Sequence, residues 1–270
     1  MLQPYILKYF SAQKESFFNN YKLALKTTDV EAIHDLRVSI KRMDTLFRML
    51  NYNTNTNFRL KQSFRPIKLV FKKTGKIRDF QIFIKLLEMF QQEMEWDYSS
   101  IISRCTHKAE NLAEDFVKST QLSNYQLLRR NLNTFERYIN LQSEPELIRK
   151  MEGQRRFSEK IFNNYSNPNN ENLNLHRARK AIKDLSYLIE MLYTENEAVE
   201  ELQIKYKQFG RLLGDWHDLA TLHNFLVSSA EKSISTGTNL EMMIGKVKTV
   251  KDKFKMDFQS INTTIKIQDG

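Results

Sequence analysis

The feature that most constrains this chain is a basic, histidine-led segment of helical pattern that occurs twice in the same phase. The first copy reads His34-x-x-Arg37-x-x-x-Lys41-Arg42. The second reads His176-x-x-Arg179-Lys180-x-x-Lys183, 142 residues further on. The apolar positions keep that offset: Ile33, Leu36, Ile40, Met43, Phe47 and Leu50 match Leu175, Ala178, Ile182, Leu185, Ile189 and Leu192. Alternating steps of three and four put each set on one helical face. His34, Arg37 and Lys41 follow the same rhythm one residue later, as do His176, Arg179 and Lys183. Each copy therefore carries a cationic stripe along the flank of a core-facing stripe. Two such stripes in a duplicated helical fold predict a channel or groove built for a polyanion.

Composition agrees with helices. Glycine (7) and proline (4) are scarce in 270 residues, whereas all-β folds and Gly-rich phosphate loops need many turn residues. A chain of this length buries a large core, as one long domain or two ordinary ones. Forty-two Lys and Arg against 32 Asp and Glu give a formal charge of +10, which favours an anionic partner without naming it. The single cysteine, Cys105, excludes an intramolecular disulfide and fits a reducing compartment. No apolar run reaches the roughly 20 residues of a membrane span, and Lys8 interrupts the only stretch resembling a leader. The cytoplasm is the expected location, with no membrane partner.

Helical spacing runs nearly throughout. It places helices at 5–26 (Tyr5, Tyr9, Phe17, Tyr21 and Leu25 inward), from the N-cap Thr28-Asp29 to Leu50, and onward from the Asn/Thr-rich loop Asn51–Asn57 to Lys73. Pro66 falls in the first turn of that helix or kinks it. Thr74-Gly75 is expected to end it. Further helices are expected at 77–95, 98–117 and 123–141. Pro145 opens the second half, with helices at 146–165, 174–193, 197–213, 215–231 and 239–263, a polar loop at Asn163–Asn174 and a break at Gly237. The repeat extends to Gly75-x-x-Arg78-Asp79 and Gly214-x-x-His217-Asp218, offset by 139, as are Lys68 and Lys207. The helix at 123–141 has no counterpart. Repeats of this length are too long for a solenoid, and two fused helical bundles related by a pseudo-twofold axis fit better. The expected halves are 1–143 and 144–270, together one domain.

Base concentrates between Arg59 and Arg78, where eight Lys and Arg occur without one acid. Lys61, Arg65, Lys68 and Lys72 form one helical column. Like charges so spaced repel by about 0.2–0.5 kcal/mol per pair in an isolated helix, so a surface serving only solubility would interleave Glu. The bland reading is that lysine stems simply cover a helix.

These blocks resemble the CHAD domain, a helical domain named for its characteristic histidines. Two blocks in the right order, each present twice, span most of the chain. The resemblance implies an all-α fold of two four-helix subdomains around a basic central pore or groove, and binding of inorganic polyphosphate. Carried over by position, the ligand-facing residues are His34, Arg37, Lys41, Arg42, Lys68 and Arg78, with His176, Arg179, Lys180, Lys183, Lys207 and Arg211. Lys72 joins because it matches Arg211, and Arg65 joins from the column alone. Lys41 and Lys183 stand where Arg is also frequent in such domains. Asp44 lies on the inner stripe, where the second half has Ser186. Polyphosphate granules are one candidate address within the cytoplasm.

Such a site needs recognition without turnover. Arg grips phosphate oxygens with paired donors and Lys acts as a mobile point charge. A helix spaces His34 from Lys41 by about 10 Å at ~1.5 Å per residue. The histidines have two readings: donors to phosphate, or buried groups that hold their helices.

No metal or cofactor is expected, because the five histidines include no i,i+4 pair and His217-Asp218 with His223 shows no ligand spacing. No enzyme activity is expected either. Glu93-x-Glu95 sits in a helical context, Asp79 and Asp218 read as helix caps, and there is no Walker or triad signature. Nucleic acid is the main alternative partner, since the same surface attracts RNA or single strands. Trp96 and Trp216 read as packing residues instead. The unmatched helix at 123–141 leaves a scaffold role and the oligomeric state open.

Overall fold

A computed structural model describes residues 2–27, 29–52, 58–120, 122–166, 172–192, 197–230 and 238–264. Among these residues there are nine α-helices and no strand. They are α1 (Gln3–Thr27), α2 (Val30–Leu50), α3 (Phe58–Met94), α4 (Ser99–Lys118), α5 (Leu122–Asn140), α6 (Glu144–Tyr165), α7 (Asn172–Met191), α8 (Glu197–Ala230) and α9 (Thr238–Thr264). No described helix is long and apolar enough to cross a membrane. The chain divides into two compact units, Met1–Gln154 and Arg155–Gly270.

Two expected breaks are absent. Gly75 lies inside α3, and Gly214 lies inside α8. Each pair of expected helices is one long helix, and Pro66 sits in the interior of the first. None of the described glycines has positive φ, so neither Gly75 nor Gly214 makes a left-handed cap. At Gly75 the reason for glycine is space: a Cβ there would stand 3.3 Å from Nη1 of Arg37. What ends α3 instead is Glu95, whose φ of 54° is left-handed without glycine's freedom. The Gln91 side chain then accepts from the Tyr98 N–H at 2.9 Å.

The predicted α2 boundary is sound. Asp29 accepts from the Ala32 N–H at 2.8 Å and caps the helix. Thr28, residues 53–57 and Gly237 lie outside the described residues.

In the first unit the α2 stripe Ile33, Leu36, Ile40, Met43, Phe47 and Leu50 is buried. The α1 face is shifted from expectation: Ile6, Phe10, Phe17, Phe18, Tyr21 and Ala24 are buried, while Tyr5 is exposed. Phe135 of α5 is the hub of an aromatic cluster. Its ring centroid lies 5.1 Å from that of Phe10 on α1, and 6.0 Å from those of Phe47 on α2 and Phe64 on α3. The unrepeated helix is therefore a core element of its unit. Cys105 on α4 is a free, buried thiol, and burial pushes its pKa up to about 11.

The second unit buries Leu175, Ala178, Ile182, Leu185 and Ile189 of α7 against Tyr206, Phe209, Leu213 and Trp216 of α8. Phe162 of α6 and Phe258 of α9 close this core, with ring centroids 5.5 and 5.7 Å from Phe209. Trp216 is thus a packing residue, as its spacing predicts; Trp96 packs its ring on Tyr98.

Truncating the aromatic hub removes contacts to three helices at once. Phe135→Ala should cost about 3–5 kcal/mol, read as a lower denaturant midpoint. A loss below about 1 kcal/mol, an ordinary surface effect, would remove α5 from the core.

Candidate basic site

In the first unit α2 and α3 carry the predicted residues. Arg37 is half-buried and crosses onto α3. Its Nη1 donates to the Phe71 carbonyl at 2.7 Å and lies 3.5 Å from the Thr74 hydroxyl. The guanidinium carbon stands 4.1 Å from the Phe71 ring centroid, close enough for a cation–π contact. Lys41 Nζ lies 6.0 Å from the same ring. Asp79, one helical turn beyond Gly75, faces both cations. Burial pushes its carboxyl pKa up, and the charges of Arg37 and Lys41 pull it back down. Asp79 is therefore mid-helix beside the cations and is not a helix cap. His34 is half-buried near Arg78. Burial, then the Arg78 charge, lowers its pKa against the opposite pull of Asp35 and Glu31.

The α3 column is not free of acid. Asp44 of α2 bonds Lys68 Nζ at 3.0 Å and Arg48 Nε at 3.2 Å. Lys68 also stands 5.5 Å and 5.8 Å from the ring centroids of Phe47 and Phe64. Its side chain is nevertheless about half exposed, so the pair is screened and adds little stability. The expectation of an unopposed column fails at this position. Arg65 and Lys72 are exposed, and Arg42 is half-buried.

In the second unit α7 and α8 carry the set. His176 and His217 meet at their Nδ1 atoms, 3.0 Å apart, so one nitrogen donates and the other accepts. The His176 ring also meets Trp216, centroid to centroid at 4.9 Å. Burial, then the Arg179 charge, lowers the His176 pKa. The Arg179 Nε is buried without a hydrogen-bond partner among the described residues. Burial lowers the Arg179 pKa, and the charge of Asp218 opposes that shift. Asp218 lies inside α8, so it too is not a helix cap.

Three predicted cations converge here. Lys183, Lys207 and Arg211, with Gln208, line an open cleft of about 500 Å³. A Cβ at Gly210 would lie 3.1 Å from Lys183 Nζ, so glycine lets the lysine lie against α8. Lys180 is exposed and does not line this cleft.

Sequence reasoning missed His217 as the partner of His176, and Asp79 and Asp218 as the acids beside the arginines. A signal was present: the 139-residue offset equates His217 with Arg78 and Asp218 with Asp79. Gln208 carried no signal.

A family model described as the CHAD domain matches residues 8–227, and the chain belongs to that family. The crystal structure of the CHAD domain from the plant Ricinus communis is similar in fold, with a TM-score of 0.70 at 13% identity, over 97% of this chain and 91% of that one. No curated protein matches the chain.

The depressed histidines set a pH dependence. A folded imidazole held below its unfolded value contributes stability above that value, and the contribution is lost as pH falls from it toward the folded one. In nuclear magnetic resonance titrations His34 and His176 should both titrate below about 6.5, the ordinary imidazole value. His217→Leu should move the His176 midpoint and leave His34 in place. An unmoved His176 would mean that the ring pair is not formed in solution.

Proposed function

We propose that this protein binds inorganic polyphosphate without turning it over, through the basic arrays on its two helix pairs. The observation that carries this reading is the cleft in the second unit. Among the described residues two lysines and an arginine line it, with a neutral glutamine and no carboxylate. Its cations sit on rigid helices at fixed intervals, which reduces the ordering cost of gripping a flexible chain. Arg211 offers paired donors, and the lysines supply mobile charge.

Parallel contacts within each unit support a duplicated site. His34 stands near Arg78 as His176 meets His217. Arg37 and Lys41 act on Asp79 as Arg179 and Asp218 act on each other. Lys41 reaches Phe71, and Lys183 lies against Gly210, the position that the repeat equates with Phe71. On this reading His34, Arg37, Lys41, Arg42, Arg65, Lys68, Lys72 and Arg78 form one array. His176, Arg179, Lys180, Lys183, Lys207 and Arg211 form the other. The resemblance adds that residues of both halves line one basic pore; that forms part of the proposal, and its support is the sequence repeat.

Polyphosphate is preferred to nucleic acid because no aromatic ring lines the cleft among the described residues. A single strand gains about 1–3 kcal/mol per base from a stacking platform. Phosphate alone uses every group present. No cofactor or metal enters this reading, and the cytoplasm is its proposed setting.

Isothermal titration with polyphosphate of defined length tests it. Binding should weaken with salt, because each neutralised phosphate releases counterions. The triple variant Lys183→Ala/Lys207→Ala/Arg211→Ala should reduce the magnitude of the log–log salt slope by about 2, at roughly 0.7 per lost contact. Polyphosphate should displace labelled RNA at lower phosphate concentration than RNA displaces polyphosphate, and its length should be unchanged after incubation. An unaltered slope in the triple variant, or the reverse order of displacement, would overturn the reading.

A further inference from the structure

A second groove, in the first unit between α3 and α4, differs chemically from the cationic arrays. We propose that it binds an amphipathic anion, a carboxylate or phosphate monoester head on an apolar chain. The wider part of the groove has a volume of about 630 Å³, within the range of small-molecule sites. Leu69, Leu112 and Phe116 give it an apolar floor. Leu69 is 53% exposed, although its helix has a core to bury into.

The rim is basic. Lys72 and Lys76 are exposed, with no ion pair among the described residues. Lys73 donates to the Ser119 hydroxyl at 2.7 Å. Lys118 is paired with Glu114 at 2.9 Å, and Asp115 is the one acid among the described lining residues. A hydrated polyanion gains nothing from a leucine floor. An alkyl chain does, at about 25 cal/mol per Å² of apolar surface covered.

A narrow recess continues from this groove, and the two share Leu69 and Lys73. Tyr21 lines the recess and is 1% exposed, and its hydroxyl has no hydrogen-bond partner among the described residues. Burial pushes the phenol pKa up to about 12, so the group remains a donor. A buried hydroxyl without an acceptor is costly. An anionic head at the junction would accept from Tyr21 and offset the charge of Lys73. Its chain would then run over Leu69, Leu112 and Phe116. This proposal does not depend on polyphosphate binding, although Lys72 belongs to both surfaces.

The test titrates decanoate, decyl phosphate and decyltrimethylammonium into the full chain. Binding of either anion, and not of the cation, supports the site. Tyr21→Phe, which removes only the unpartnered hydroxyl, should weaken anion binding about 2- to 10-fold, the range of one hydrogen bond. Leu69→Gln/Leu112→Gln alters only the groove floor and should weaken it about tenfold or more. That variant should melt at the temperature of the natural protein and keep its affinity for polyphosphate. Equal binding of the anions and the cation, or anion heats unchanged in both variants, would overturn the proposal.

Discussion

Long cationic side chains lie across neighbouring helices, and this contact ties the packing of each unit to its charge. Arg37 crosses from α2 to the α3 backbone, where Gly75 leaves room and the Phe71 carbonyl accepts its proton. Lys183 crosses from α7 to α8 at Gly210. A guanidinium carries its N–H donors in a fixed planar fork, so a backbone bond through one of them orients the whole group. The bond that ties Arg37 to α3 therefore fixes where its charge stands. Flexible surface lysines have no such registration and lose rotamer freedom on binding.

Carboxylates complete the arrangement. Asp79 beside Arg37 and Lys41, Asp218 beside Arg179, and Asp44 beside Lys68 place an acid near the cations in both units. Gathering like charges in a partly desolvated place is unfavourable, and these acids lower that repulsion while no anion is bound. They also act against an incoming phosphate, so the net attraction is smaller than a count of cations suggests. The cleft of Lys183, Lys207 and Arg211 has Gln208 and no acid among its described lining residues.

Much of this was legible in the sequence because helical periodicity is a strong signal over long segments. The α2 and α7 stripes, the Asp29 cap and the burial of Trp216 all follow from spacing. The helix breaks at Gly75 and Gly214 did not follow. A local reading takes glycine as punctuation, whereas Gly75 serves a contact made by a residue far away in the chain. Asp79 and Asp218 were misread for the same reason, since a cap is inferred from a nearby turn that does not exist. The α1 register slipped because aromatic residues occur on both of its faces, and only packing against α5 and α2 selects Phe10 over Tyr9. Pairings such as His176 with His217 needed the partner helix to be in place.

Phe71 and Gly210 occupy equated positions in the two halves of the sequence, yet one presents a benzene ring and the other a hydrogen atom. The ring takes up volume beside Arg37 and Lys41; the missing side chain lets Lys183 settle onto bare backbone next to an open cleft. At one equated position a ring fills space beside the cations, and at the other that space is left to a lysine. Helices that carry similar cations can thus differ in what they admit through side-chain bulk at one turn.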